Sequence, residues 1–142
     1  VGYGRIGQSI ARALKERDIP YVVVEQNREC VEDLRKQGYA AVYGDATDPA
    51  VLIQAHIANA AMLVVAMPSP LNVRVMAEAS RSLNPDIEIV VRTHSEEEYH
   101  SLRDEGIAHT FFGVEELARS MSSHVAERFR PVARHPNQHS HT

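Results

Sequence analysis

Val1-Gly2-Tyr3-Gly4-Arg5-Ile6-Gly7 opens the chain, with glycines at positions 2, 4 and 7. This is the G-x-G-x-x-G spacing of a turn that joins a strand to a helix and receives a pyrophosphate. Gly2 lets the chain leave a strand sharply. Gly4 has no Cβ, so a phosphate can approach the backbone. Gly7 lets the following helix pack closely on the sheet. That helix is expected to start near Arg5, which aims its free N–H groups and positive dipole end at the phosphate. The same spacing also occurs in ordinary turns, so its weight depends on the residues downstream. A turn of this kind needs a strand before it, and only Val1 precedes Gly2. The natural polypeptide is therefore expected to continue upstream, with its first strand truncated here.

Outward from the turn, strands and helices alternate. Ile6, Ile10, Ala13 and Leu14 share one face of a helix over about residues 5–17. Tyr21-Val22-Val23-Val24 is a β-branched run suited to a buried parallel strand, and Glu25 closes it. Glu25 follows Gly7 by 18 residues. That is near the distance at which an acid accepts hydrogen bonds from the adenosine ribose and repels a 2′-phosphate. The plain alternative is a solvated strand-end glutamate. Asn27 is expected to cap a helix over 28–37, which stops at Gly38. Residues 40–43 read as the third strand. Gly44-Asp45-Ala46-Thr47-Asp48-Pro49 is a second sharp turn, with Asp48 as N-cap and Pro49 as first helical residue. In a doubly wound sheet this turn lies beside the first, so Asp45 and Ala46 are candidates to border a bound base. A plain strand-to-helix connection is the alternative.

The most apolar stretch, residues 60–67, reads as the fourth strand. Pro68-Ser69-Pro70 breaks it and starts a helix with Val73, Met76, Ala77, Ser80 and Leu83 on one face. Residues 87–91 form the fifth strand, with Arg92 at its carboxyl end. Ser95 and Glu98 have capping-box spacing. Residues 110–112 are a short sixth strand. A last helix over 114–129 carries Leu117, Met121, Val125 and Phe129 on an apolar stripe. The expected fold is α/β and Rossmann-like, a doubly wound parallel sheet with helices on both faces and strand order 3-2-1-4-5-6. Residues 1–129 form its one domain and 130–142 a disordered polar tail. His135, His139 and His141 in that tail are read as polar residues, and no metal site is assigned.

Composition fits this reading. The 142 residues are 44% hydrophobic and 24% charged, with a net charge of -4 and a pI near 6.1. That balance gives no support for nucleic-acid binding. No apolar run is long enough to span a bilayer, and no signal peptide is visible. The single cysteine, Cys30, excludes an internal disulfide and suits a reducing compartment.

Together, Gly2-Tyr3-Gly4-Arg5-Ile6-Gly7, Glu25 and Gly44-Asp45-Ala46-Thr47 resemble the N-terminal domain of the regulators of potassium conductance (RCK, or TrkA-N). The arginine after the second glycine and the Gly-Asp-Ala turn separate it from general dehydrogenases. Within that family the chain is most similar to the cytosolic regulatory domain of Kef-type (YbaL-like) monovalent cation/proton antiporters. The resemblance implies a sensor of an adenine nucleotide, NAD(H), AMP, ADP or ATP, on the cytoplasmic face of the membrane. It implies a homodimer and an upstream transmembrane antiporter domain as partners. By the same resemblance, Gly2, Tyr3, Gly4, Arg5, Ile6 and Gly7 hold the phosphates and Glu25 the ribose. Gly44, Asp45, Ala46 and Met67 border the adenine, and Arg92 stands near the ligand. Glutathione control, known in part of the Kef group, is not carried over, and a second RCK subdomain is not recognised. The competing reading is the nucleotide-binding fragment of an NAD-dependent oxidoreductase. That needs a substrate domain with an acid or base. None is recognised after the sixth strand, and neither His56 nor His94 has a catalytic context. The expectation is a domain without chemistry of its own.

Overall fold

A computed structural model describes residues 1–66, 70–93, 96–107, 109–112 and 115–129. Expectations for Met67, Pro68, Ser69, His94, Ser95, Val114, the side chain of Leu117 and residues 130–142 fall outside these.

The elements run α1 (Arg5–Glu16), β1 (Val23–Glu25), α2 (Arg28–Lys36), β2 (Ala41–Tyr43), α3 (Pro49–Gln54), a 3-10 turn (Ile57–Asn59), β3 (Met62–Val65), α4 (Pro70–Leu83), β4 (Glu88–Thr93), α5 (Glu96–Asp104), β5 (His109–Phe112) and α6 (Glu115–Arg128). Local chemistry sets several boundaries. The Asn27 side chain accepts from the Cys30 N–H at 3.0 Å and starts α2. Asp48 does the same for the Ala50 N–H at 3.0 Å, with Pro49 as first residue of α3.

Strand boundaries differ from the sequence expectation in several places, and β1 begins at Val23 rather than at Tyr21. β3 covers Met62–Val65, shorter than 60–67; the 3-10 turn Ile57–Asn59 closes just ahead of the run, and Ala60 and Ala61 stay out of the strand. Asn84, at the far end of α4, donates its side-chain N–H groups to the carbonyls of Ile57 at 2.9 Å and Ala60 at 2.7 Å. Those bonds occupy the Ala60 carbonyl ahead of the strand. β4 extends to Thr93, so Arg92 lies within the strand rather than after it.

Every strand pairing is parallel. Val23 stands opposite Ala41 and Glu25 opposite Tyr43. β3, β4 and β5 form a second sheet in that order, with Leu63 opposite Ile89 and Arg92 opposite Phe111. The expected single six-stranded ladder is thus divided in two. Val1 and Gly2 bridge the division. The Val1 amine donates to the Val64 carbonyl at 2.7 Å. Ala66 N–H donates to the Val1 carbonyl at 2.9 Å, and Gly2 N–H to the Val24 carbonyl at 3.0 Å.

Alternation along the strands puts core on both faces. Leu63, Val65, Ile89 and Val91 pack with Leu52, Val73, Met76 and Leu102, from α3, α4 and α5. Val90 points the opposite way, against Ile6, Ile10 and Leu14 of α1 and Met121 and Val125 of α6. Val31 and Leu34 of α2 cover Val23 and Ala41. The architecture is a Rossmann-like α/β fold.

The seat of α1 depends on one missing atom. A Cβ on Gly7 would lie 2.1 Å from the Gly2 carbonyl oxygen, whereas a Cβ on Gly4 would meet nothing within 4 Å. Gly7→Ala should therefore lower unfolding free energy by about 1–3 kcal/mol through overpacking. Gly4→Ala should cost less than about 1 kcal/mol, the difference between the two residues at an N-cap. Urea unfolding of the two variants measures this, and equal losses would contradict the assignment.

Candidate functional site

The first turn of α1 has no side-chain cap and no acidic residue. Its leading N–H groups are left without an intrahelical or side-chain acceptor, and its positive end is uncompensated. Gly4, the N-cap, is exposed and faces open space. Arg5 is exposed and takes no hydrogen bond or ion pair among the described residues. Ile6 offers only its backbone here, because its side chain is 3% exposed and packs under α6. A helix start of this kind is suited to receive an anion, with the Arg5 cation beside it.

Glu25 holds this turn in place. Tyr3 N–H donates to its Oε1 at 2.9 Å, and Asn27 N–H to its Oε2 at 2.7 Å. Both are charge-assisted bonds to backbone. Each carboxylate oxygen keeps a further lone pair, so two hydroxyls of a ligand can still be accepted. Sequence reasoning gave Glu25 a ligand and missed the clamp. The bond from Asn27 is local, but the side-chain turn it resembles is made by Asp, Asn, Ser and Thr, so a glutamate at this position gave no signal of it. The bond from Tyr3, 22 residues away, has no signature.

The second turn docks on the first. Gly44 has φ +152°, and its N–H donates to the Glu25 carbonyl at 3.1 Å. Asp45 is exposed, and its Oδ1 accepts from Thr47 N–H at 2.9 Å and Thr47 hydroxyl at 2.8 Å. The backbone bond, then the hydroxyl, hold its carboxyl below the usual carboxylate range. The Ala46 methyl is 3% exposed and packs in the core with Val24 and Leu52. Only its backbone can border a ligand.

Arg92 approaches from the other sheet. Its Nη1 donates to the Ala66 carbonyl at 3.2 Å. Ala66 is also the residue whose N–H holds Val1, and its Cβ lies 3.8 Å from the vacant Cβ position of Gly7. The guanidinium is thus tied to the end of β3 beside the glycine turn. Its Nε is buried without a partner among the described residues, a polar atom that lacks an acceptor. Of the sequence candidates, Tyr3, Glu25 and Gly44 are joined by hydrogen bonds; Gly2 bonds Val24, next to Glu25, and Arg92 bonds Ala66, whose N–H bonds Val1. Met67, next along the chain, lies outside the described residues.

A family model described as the TrkA-N domain matches residues 1–112. The chain belongs to the TrkA-N family. This TrkA-N domain is 36% identical over 121 residues to YbaL of Escherichia coli (strain K12), assigned as a cation/proton antiporter, covering 85% of this chain and 22% of YbaL. It is 31% identical over 137 residues to KefB of Alkalimonas amylolytica, assigned as a K+ efflux antiporter, covering 96% of this chain and 21% of KefB. The chain thus spans about a fifth of the length of these relatives. Among solved structures it superposes on the TrkA-N domain of the Escherichia coli inner membrane protein YbaL. The TM-score is 0.76 at 34% identity, covering 87% of this chain and 92% of the other. The GsuK channel bound to NAD matches with a TM-score of 0.67 at 25% identity, covering 77% of this chain and 20% of that one.

The clamp makes Glu25 a stability residue of the TrkA-N domain before any ligand binds. Glu25→Ala removes the acceptor of two backbone N–H groups and should cost about 1–3 kcal/mol. Urea or thermal unfolding without ligand reads the loss. An unchanged midpoint would show that the clamp contributes nothing.

Proposed function

We propose that this TrkA-N domain is the ligand-sensing regulatory part of a monovalent cation/proton antiporter. It binds an adenine nucleotide across the carboxyl edge of its strands. The observation that carries the reading is the uncapped, sterically open start of α1, flanked by Glu25 on one side and Arg92 on the other. The antiporter relatives and the NAD-bound GsuK neighbour support it.

Gly4, Arg5, Ile6 and Gly7 take the phosphates through backbone N–H groups, and the Arg5 guanidinium adds a charge-assisted contact; the Gly2 and Tyr3 N–H groups, expected to share that role, are instead held by the Val24 carbonyl and Glu25 and shape the turn. Glu25 accepts the ribose hydroxyls on its free lone pairs and disfavours a 2′-phosphate. Gly44, Asp45, the Ala46 backbone and Met67 border the adenine. Arg92, with its orphaned Nε, supplies a second cation. The nucleotide-binding unit is residues 1–129, and it acts as a homodimer. No described helix is long and apolar enough to cross a membrane. A transmembrane antiporter domain elsewhere in the polypeptide would hold the sensor at the cytoplasmic face.

Control then requires unequal binding to two shapes of the dimer, because a ligand with equal affinity for both shifts nothing. A swing from mostly closed to mostly open needs about 5.5 kcal/mol of differential binding. That is more than one polar contact provides, so contacts from both subunits must contribute.

Native mass spectrometry with titration of AMP, ADP, ATP, NAD and NADH tests this reading. A dimer that binds one of them without turnover is the expected result. A monomer that consumes NADH with an added acceptor would replace the sensor with an oxidoreductase. Arg5→Ala should weaken binding by about tenfold, the loss of one charge-assisted hydrogen bond. Gly4→Val should block the phosphate. The wild type should prefer the ribose ligand to its 2′-deoxy form, and Glu25→Ala should erase that preference. Equal binding of the two forms by the wild type would give Glu25 the clamp alone.

A further inference from the structure

Glu88 and His109 are the first residues of β4 and β5. They stand at the amino edge of the sheet, the end opposite the glycine turn. Glu88 shares a strand face with Val90, and Val90 is paired with His109. His109 shares its face with Phe111, which packs with Val90 and Met121. Both polar side chains are thereby directed toward α6. There, His124 and Arg128 lie one turn apart.

The four side chains converge on one carboxylate. His109 Nε2 and His124 Nε2 each lie 3.2 Å from Glu88 Oε2. The imidazole centroids are 4.2 Å apart. Arg128 Nε donates to the other oxygen, Oε1, at 2.8 Å. The three candidate ligand atoms all lie within 4.8 Å of one another. The side chains of Glu88, His109 and His124 are 21%, 39% and 27% exposed, so they are held by packing yet open to solvent.

We propose that Glu88, His109 and His124 bind a divalent transition-metal ion of the Zn2+ type. Zinc–nitrogen and zinc–oxygen bonds of about 2.0–2.1 Å put tetrahedral ligands roughly 3.3 Å apart. The two oxygen-to-nitrogen separations match that edge, so an ion can enter with small side-chain rotations. Two imidazoles and one carboxylate select a borderline ion over Mg2+ or Ca2+, which take oxygen ligands. Three protein ligands leave a fourth position for water. Arg128 serves as the outer partner that fixes the carboxylate, the role such second contacts play around bound metals. The ion would fasten α6 to β4 and β5. The ligands are separated by 21 and 15 residues and come from two strands and a helix, so no sequence spacing announces them.

The test is calorimetric titration of the chelator-treated 142-residue chain with ZnCl2, with the visible absorption of bound Co2+ as a check on ligand type. One equivalent should bind, and the unfolding temperature should rise with the ion. Glu88→Gln, His109→Ala and His124→Ala should each weaken binding by more than about tenfold and abolish the temperature shift. Circular dichroism without metal verifies that each variant is folded. The exposed His109 position carries the test should the His124 variant unfold. A chain with His135, His139 and His141 all changed to alanine should bind as the wild type does. Affinity unchanged in the three site variants, binding lost in the tail variant, or no binding at millimolar ZnCl2 would each overturn the proposal.

Discussion

The close approach of Gly7 to the Gly2 carbonyl is the contact on which the rest of the domain is built. No side chain fits between them, so α1 can lie low on the sheet. From that seat, Ile6, Ile10 and Leu14 reach the buried layer that also holds Met121 and Val125, and α6 is fixed against α1. The same seat sets the direction of the helix start. A helix lifted by one methyl group would misplace its N–H groups relative to Glu25 and Arg92. Packing and the proposed ligand geometry are one constraint here, because the turn proposed to receive the phosphate is also the turn that docks the helix.

Glu25 shows a similar economy. Its carboxylate secures Tyr3 and Asn27 and, through the Glu25 carbonyl, the second turn at Gly44. A ligand that uses the remaining lone pairs joins a group already oriented. The ordering cost of that side chain has been met in folding, which leaves more of the interaction as affinity. The carboxylate is therefore under two demands at once, and a change at this position perturbs the turn as well as the contact.

Much of this was legible in the sequence where the signal is local. The glycine spacing, the Asn27 and Asp48 caps and the strand ending at Glu25 depend on residues within a turn of one another, and alternation of apolar runs gave the α/β class. What escaped depends on partners distant in sequence. Asn84 caps carbonyls 24 and 27 residues away and holds Ala60, the first residue of the apolar run, out of the strand. The sequence did not show that the Ala46 methyl packs in the core with Leu52, which leaves its backbone for the proposed ligand contact. Glu88 read as an ordinary strand residue. Its company of two histidines and an arginine exists only after α6 has folded back over β4.

The candidate site draws on both ladders of the sheet. β1, β2 and α2 carry Glu25 and the Gly44 turn, while β3 to β5 carry Ala66 and Arg92. The backbone of Val1 and Gly2 hydrogen-bonds to both, and Val24 and Ala46 pack in one core with Leu63 and Val65. A nucleotide touching Glu25 on one ladder and Arg92 on the other would rivet them together. Occupancy would then register as a stiffening shared by both halves, a mechanical signal available to whatever the domain is attached to.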